Sequence, residues 1–141
     1  MFYIDGISLN KIKDELKREL TGKKINKITK NTETSLSVFF GKTELVFSCN
    51  PTFPICYISN SKEGVLENST GLAANMRKHL LNAMLTDVEQ LGFDRILVFK
   101  FARINELGEV KNYSIIFEIM GKYSNFILVD GENKIVDLLK R

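Results

Sequence analysis

Few residues in this chain are equipped for catalysis or metal binding. The single histidine, His79, excludes any mechanism that needs a histidine pair and leaves His-based activation of a nucleophile with one candidate. Its position inside a helical pattern favours a structural role. Cys49 and Cys56 stand seven residues apart with no partner cysteine or histidine cluster. That spacing suggests neither a disulfide framework nor a zinc site, and both are expected to be buried small hydrophobes. With no Gly-rich phosphate loop either, the expectation is a domain without metal or nucleotide cofactor.

The cations are more informative. Net charge is +3, and it is unevenly placed: residues 1–30 hold eight Lys/Arg against four Asp/Glu, while the remainder is close to balanced. Such a bias suits a polyanion partner and equally suits a solvated amphipathic helix. Arg77 and Lys78 sit together on a helical segment, where basic residues are commonly just solvated. At 141 residues, with 44% hydrophobic content and ten Phe, the chain has the size and the apolar material for one core. No stretch approaches the roughly 18 apolar residues of a membrane span, and Met1 is followed by Phe2-Tyr3-Ile4-Asp5 rather than a basic leader. A cytoplasmic protein with no membrane partner is expected.

Positioning these residues requires elements. Leu9, Ile12, Leu16 and Leu20 recur at helical spacing between Ser8, a candidate cap, and Gly22, a candidate left-handed terminator. Runs rich in β-branched and aromatic residues follow at Lys24–Lys30, Ser35–Phe40, Glu44–Ser48 and Ile55–Ser59. A polar segment, 60–70, leads into a second helix with the stripe Leu72, Met76, Leu80 and Ala83, capped by Ser69 or Thr70. Five more strands are expected at Thr86–Gln90, Asp94–Ile104, Glu109–Met120, Asn125–Asp130 and Lys134–Leu139. Consecutive hairpins with only two helices predict an α+β fold, an antiparallel β-sandwich flanked by two helices, rather than a doubly wound sheet.

The long hairpin permits a sharper expectation. A four-residue turn at Asn105-Glu106-Leu107-Gly108 places Ile104 opposite Glu109. Ile96 and Val98 then join Tyr113, Ile115 and Phe117 in the core, and Arg95 falls opposite Glu118. That pair reads either as an ordinary ion pair worth little or as an Arg held by Glu118 in a fixed pose for a phosphate or a base.

The segment Met120 to Asp130 (MGKYSNFILVD) followed by Asn133 to Arg141 (NKIVDLLKR) resembles the signature EIMGRHSNIILVD…KILDSIKR of NFACT N-terminal domains, the RqcH and fibronectin-binding protein A group. Asp5-Gly6, Arg77-Lys78-His79-Leu80, Leu91-Gly92-Phe93-Asp94-Arg95-Ile96 and Asn105-Glu106-Leu107-Gly108 accompany it in the family's order, so the resemblance spans nearly the whole chain. It implies a fold related to the N-terminal domain of formamidopyrimidine-DNA glycosylases, without their chemistry. Those enzymes use a proline amine at the mature N-terminus beside a Glu, whereas here Met1 precedes Phe2 and Tyr3. The domain is therefore expected to be non-catalytic.

The resemblance further implies a part in ribosome-associated quality control: contact with the large ribosomal subunit, and recruitment of alanyl-tRNA to extend a stalled peptide with a C-terminal alanine tail. The family's Asp-Arg motif, associated with tRNA contact, maps to Asp94 and Arg95. An Arg grips a phosphate bidentately or stacks on an unpaired base, and an Asp accepts from a base edge or ribose hydroxyl. Arg77, Lys78, Lys122, Tyr123 and Asn125 complete the expected tRNA surface, with Glu118 in support. The family usually has Arg-His where Lys122-Tyr123 stands. Lys keeps the charge but loses the fork geometry, and Tyr123 can stack on a base. Full members continue through a helix-hairpin-helix region, a coiled coil and a C-terminal RNA-binding domain, so residues 1–141 are expected to be the first domain of a longer protein. The alternative is adhesion to fibronectin or fibrinogen, which some bacterial members are named for. It finds neither a secretion signal nor a sorting motif here.

Overall fold

The computed structural model describes residues 6–52, 54–59, 71–92 and 94–140. Helix α1 (Gly6–Leu20) precedes β1 (Lys27–Thr32), β2 (Ser35–Phe40), β3 (Thr43–Ser48) and β4 (Ile55–Ser59). Helix α2 (Gly71–Leu80) then leads to β5 (Met84–Gln90), β6 (Ile96–Ile104), β7 (Val110–Glu118), β8 (Asn125–Asp130) and β9 (Ile135–Leu138). Each group of strands forms its own antiparallel meander, β1-β2-β3-β4 and β5-β6-β7-β8-β9. The described residues adopt the expected α+β class, with two antiparallel sheets and two helices.

Period-two alternation decides which faces meet. Leu36, Val38 and Phe40 of β2, Leu45 and Phe47 of β3, Phe99 and Phe101 of β6, Ile115 and Phe117 of β7, and Phe126 and Leu128 of β8 are all buried in one core. Phe47 joins the sheets, its ring edge-on to Phe99, Phe117 and Phe126 at 5.1, 5.3 and 5.0 Å. Leu9, Leu16 and Leu20 from α1 and Leu72, Met76 and Leu80 from α2 enter the same core. Polar ties fix the helices: Asn10 donates to Gln90 and Lys17 pairs with Asp87 at 3.0 Å, while Asn75 of α2 donates to Asp137.

Several local expectations are corrected. Helix α1 begins at Gly6, so Ser8 lies within its first turn and is not its cap. Gly22 does adopt the left-handed conformation, at φ +89°. Ala83 is buried beyond the end of α2, where Asn82 at φ +66° turns the chain out of the helix. Ser69 and Thr70, like Asp5 and Phe93 of the motifs, lie outside the described residues. The single strand expected at Lys24–Lys30 is divided. Ile25 donates to the Ala83 carbonyl and accepts from Asn82, whereas Asn26 donates to Phe39 of the other sheet.

The hairpin register is also corrected, by one residue. Ile104 pairs with Val110 rather than Glu109. Asn105 belongs to the ladder, since its N–H donates to Glu109, and its side chain accepts from Leu107 and Glu109. The loop proper is Glu106-Leu107-Gly108, with Gly108 left-handed at φ +80°, the three-residue hairpin form. A one-residue slip exchanges the faces of a strand. Leu97, Phe99 and Phe101 therefore face Phe117, Ile115 and Tyr113 in the core, and Ile96 and Val98 are only half-buried. Glu118 pairs with Ile96, so Arg95 and Glu118 are not the cross-strand neighbours expected.

Candidate nucleic-acid interface

An antiparallel meander puts alternate turns at opposite ends of the sheet. The β5–β6 and β7–β8 turns share one end, here the near end, and the β6–β7 and β8–β9 turns share the far end. The expected tRNA-contact residues are split accordingly.

Asp94, Arg95, Lys122, Tyr123 and Asn125 come together at the near end. Asp94 is exposed in the β5–β6 turn, its N–H bonded to the Leu91 carbonyl and its own carbonyl held by the Gln90 side chain at 2.8 Å. Arg95 is half-buried immediately before β6, and its carbonyl accepts from Ile119 at 2.8 Å, which ties this turn to the end of β7. Lys122 and Tyr123 lie in a single 3-10 turn, Gly121–Tyr123. Gly121 at φ +57° and the buried Ser124, whose hydroxyl accepts from Met120 N–H, shape that turn. Tyr123 is 71% exposed and the Lys122 ammonium lies 5.1 Å above its ring. A solvent-facing ring beside a cation is suited to stacking an unpaired base.

Asn125 has a different local task. Its side-chain amide donates to the Lys140 carbonyl and accepts from Lys140 N–H, both at 2.9 Å, clasping the chain after β9. The Lys140 ammonium in turn holds the carbonyls of Cys49 and Lys122, each at 3.2 Å. Lys140 is thus a further cation of this end that sequence reading missed. Glu118 is half-buried between Ile96 and Asn125 in register.

Arg77 and Lys78 are at the far end. Arg77 is half-buried, and its Nε donates to the Ile28 carbonyl at 3.1 Å, which fastens α2 to β1. Lys78 is exposed in the last turn of α2. Arg103 also reaches this helix end: its Nη1 donates to the carbonyls of Lys78 and His79 at 2.7 and 3.2 Å. These are the orphan acceptors of a helix C-terminus, where a cation is favoured. His79 Nδ1 stands 3.2 Å from the Tyr113 hydroxyl. Its pKa is lowered below the usual histidine value, first by burial and then by Lys78, Arg103 and Lys111. Tyr113 is buried in the core as expected, but its grouping with Arg103 and Lys111 was not anticipated from the sequence. The correct hairpin register would have placed them beside one another.

Among the described residues no group of three or more His, Cys, Asp or Glu is placed to hold a metal ion. Both cysteines are buried.

The sequence and the fold have clear relatives. Residues 5–141 match the sequence model of NFACT N-terminal and middle domains. The "Rqc2 homolog RqcH" of Streptococcus pneumoniae serotype 2 is 32% identical over 142 residues, covering 96% of this chain and 26% of that protein. "Ribosome quality control complex subunit 2" of Schizosaccharomyces pombe is 28% identical, covering 96% of this chain and 13% of that protein. Among solved structures, the N-terminal part of the fibronectin/fibrinogen-binding protein from Streptococcus suis superposes with a TM-score of 0.90 at 31% identity, covering 98% of this chain and 54% of that one. The chain thus spans about a quarter or less of these curated relatives and about half of the solved structure. With the match running from residue 5 to the last residue, and with the same two-sheet fold, the chain belongs to the NFACT family, in the region of its N-terminal and middle domains.

Proposed function

We propose that this domain binds tRNA on the large ribosomal subunit, as the non-catalytic, cytoplasmic first domain of a quality-control factor that recruits alanyl-tRNA for C-terminal alanine tailing of stalled peptides. The observation that carries the reading is the match over 96% of the chain to proteins named for ribosome quality control, in a bacterium and in a yeast. The near end supports it chemically. Asp94, Arg95, Lys122 and the exposed Tyr123 converge there from two turns, offering base-edge acceptance, phosphate binding and stacking on one surface. No cofactor is needed for such a role.

A second reading is matrix adhesion, favoured by the description of the Streptococcus suis relative as a fibronectin/fibrinogen-binding protein. One assay separates the two. In filter binding at several salt concentrations, the tRNA reading expects retention of tRNA that weakens as salt rises, together with co-sedimentation on large ribosomal subunits. Saturable binding of fibronectin with no retention of tRNA would replace that reading with adhesion.

A further inference from the structure

The far end carries an arrangement that the near-end site does not use. Arg103 and Lys111 are direct cross-strand partners at the tip of the β6–β7 hairpin. Like charges set opposite each other destabilise a ladder, and here a third cation, Lys78, is added from α2 rather than a carboxylate. The three border a concavity of about 250 Å³ whose remaining lining is His79, Asn105 and Tyr113. Every one of these six side chains can donate a hydrogen bond, and among the described residues none of the lining is acidic. Arg103 is not loose, because the Lys78 and His79 carbonyls fix its guanidinium. Of the carboxylates at this end, Glu109 accepts a long bond of 3.4 Å from the Asn105 side chain, and Asp130 and Glu132 belong to a neighbouring groove that shares His79, Lys111 and Tyr113. Asp130 is committed to the backbone N–H groups of Glu132 and Lys134.

We infer that this concavity is a second phosphate-binding site, built to take the sugar-phosphate backbone of RNA between Lys78, Arg103 and Lys111 at the opposite end of the sheet from Asp94 and Arg95. The inference rests on the RNA-binding reading for its ligand, not for its geometry. The backbone is favoured over a base because the lining offers charge and donors without an exposed aromatic platform: Tyr113 is only 8% exposed, unlike Tyr123.

The sole histidine supplies the reporter. Burial first, and then the facing cations Lys78, Arg103 and Lys111, lower the pKa of His79, while Asp130 raises it. An anion seated among the three cations must move its titration upward. The experiment is a proton NMR titration of His79 in the presence of a short unstructured oligouridylate and, separately, of inorganic phosphate, with RNA affinity followed by fluorescence anisotropy. The expected result is a His79 midpoint that rises with RNA in the wild type and in Arg95→Ala. In Lys78→Gln/Lys111→Gln the rise is lost, and the slope of log affinity against log salt falls by about 1.4 for two single-strand phosphate contacts. Both substituted lysines are exposed, so the fold is retained.

RNA that binds the wild type and leaves His79 unmoved overturns the inference while sparing the near-end reading. A rise with inorganic phosphate but none with RNA also overturns it, assigning the groove to a small phosphate. A rise that persists in Arg95→Ala supports it even if near-end binding fails.

Discussion

Cys56 is the cross-strand partner of Phe47, and Cys49 lies two residues past that ring, just beyond the end of the same strand. Burial pushes both thiols up to about 12, so neither is a usable thiolate at neutral pH. Alkylation with iodoacetamide at pH 8 is expected to label the native protein hardly at all and to modify both cysteines in denaturant. Rapid labelling of either one in the native state would contradict this. His79 gives the opposite kind of handle. Its folded-state pKa is depressed, so the unfolded chain binds the proton more readily. The associated stability is fully present above about pH 6.5, the unfolded value, and is lost as pH falls through the lower folded value. Denaturant midpoints between pH 7.5 and 5 should decline, and the decline attributable to this group should vanish in His79→Gln. An equal decline in both proteins would remove His79 as its source. The buried state of both cysteines and the grouping of Asp94 with Lys122 and Tyr123 were readable from types, spacing and motif. Arg103 and Lys111 were not: with a four-residue turn Arg103 faces Val110, and the cationic pair is invisible until the register is right.

That register shows why elements are easier to read than their alignment. The nine strands and two helices of the described residues are all announced by periodicity, with boundaries displaced by a few residues at most. What periodicity does not encode is which Asn of a turn still belongs to the ladder, and the Asn105 bonds to Glu109 decide the faces of an entire strand. The divided Lys24–Lys30 run is a second case: its β propensity is uniform, but its partners switch from β5 to β2 at Asn26. A third hidden feature is a polar relay across the first sheet. Thr29 donates to Asn31, Asn31 donates to Ser37, and Ser37 donates to the Glu44 carboxylate, with Thr29, Ser37 and Glu44 all buried. Ser37→Ala removes the hydroxyl from a buried carboxylate, and it should lower unfolding free energy by about 1–3 kcal/mol. An unchanged urea midpoint would show that water substitutes for the hydroxyl without cost.

At the scale of the whole molecule, one side chain couples the two meanders. Phe47 is about 1% exposed and meets three rings from the opposite sheet. Its truncation to Ala is expected to cost about 3–5 kcal/mol, enough to lower the melting temperature by roughly 10 °C or more. A shift of only a degree or two would mean the sheets are held mainly by the helices. The same rigid sandwich separates the two ends, so contacts at one can be altered without unfolding the other. The proposed hold of the near end on tRNA through Asp94 and Arg95 is therefore open to a direct measurement: filter binding of tRNA to the Asp94→Ala and Arg95→Ala variants, with melting temperatures recorded alongside. Asp94 carries the wrong charge for a phosphate, so an unspecific basic surface would bind more tightly without it. Each substitution is expected to weaken tRNA binding, by roughly tenfold or more for Arg95→Ala, since a charge-assisted contact contributes about 1.5–3 kcal/mol, while the melting temperatures hardly move. Unchanged tRNA affinity in both variants, or tighter binding by Asp94→Ala, would contradict it.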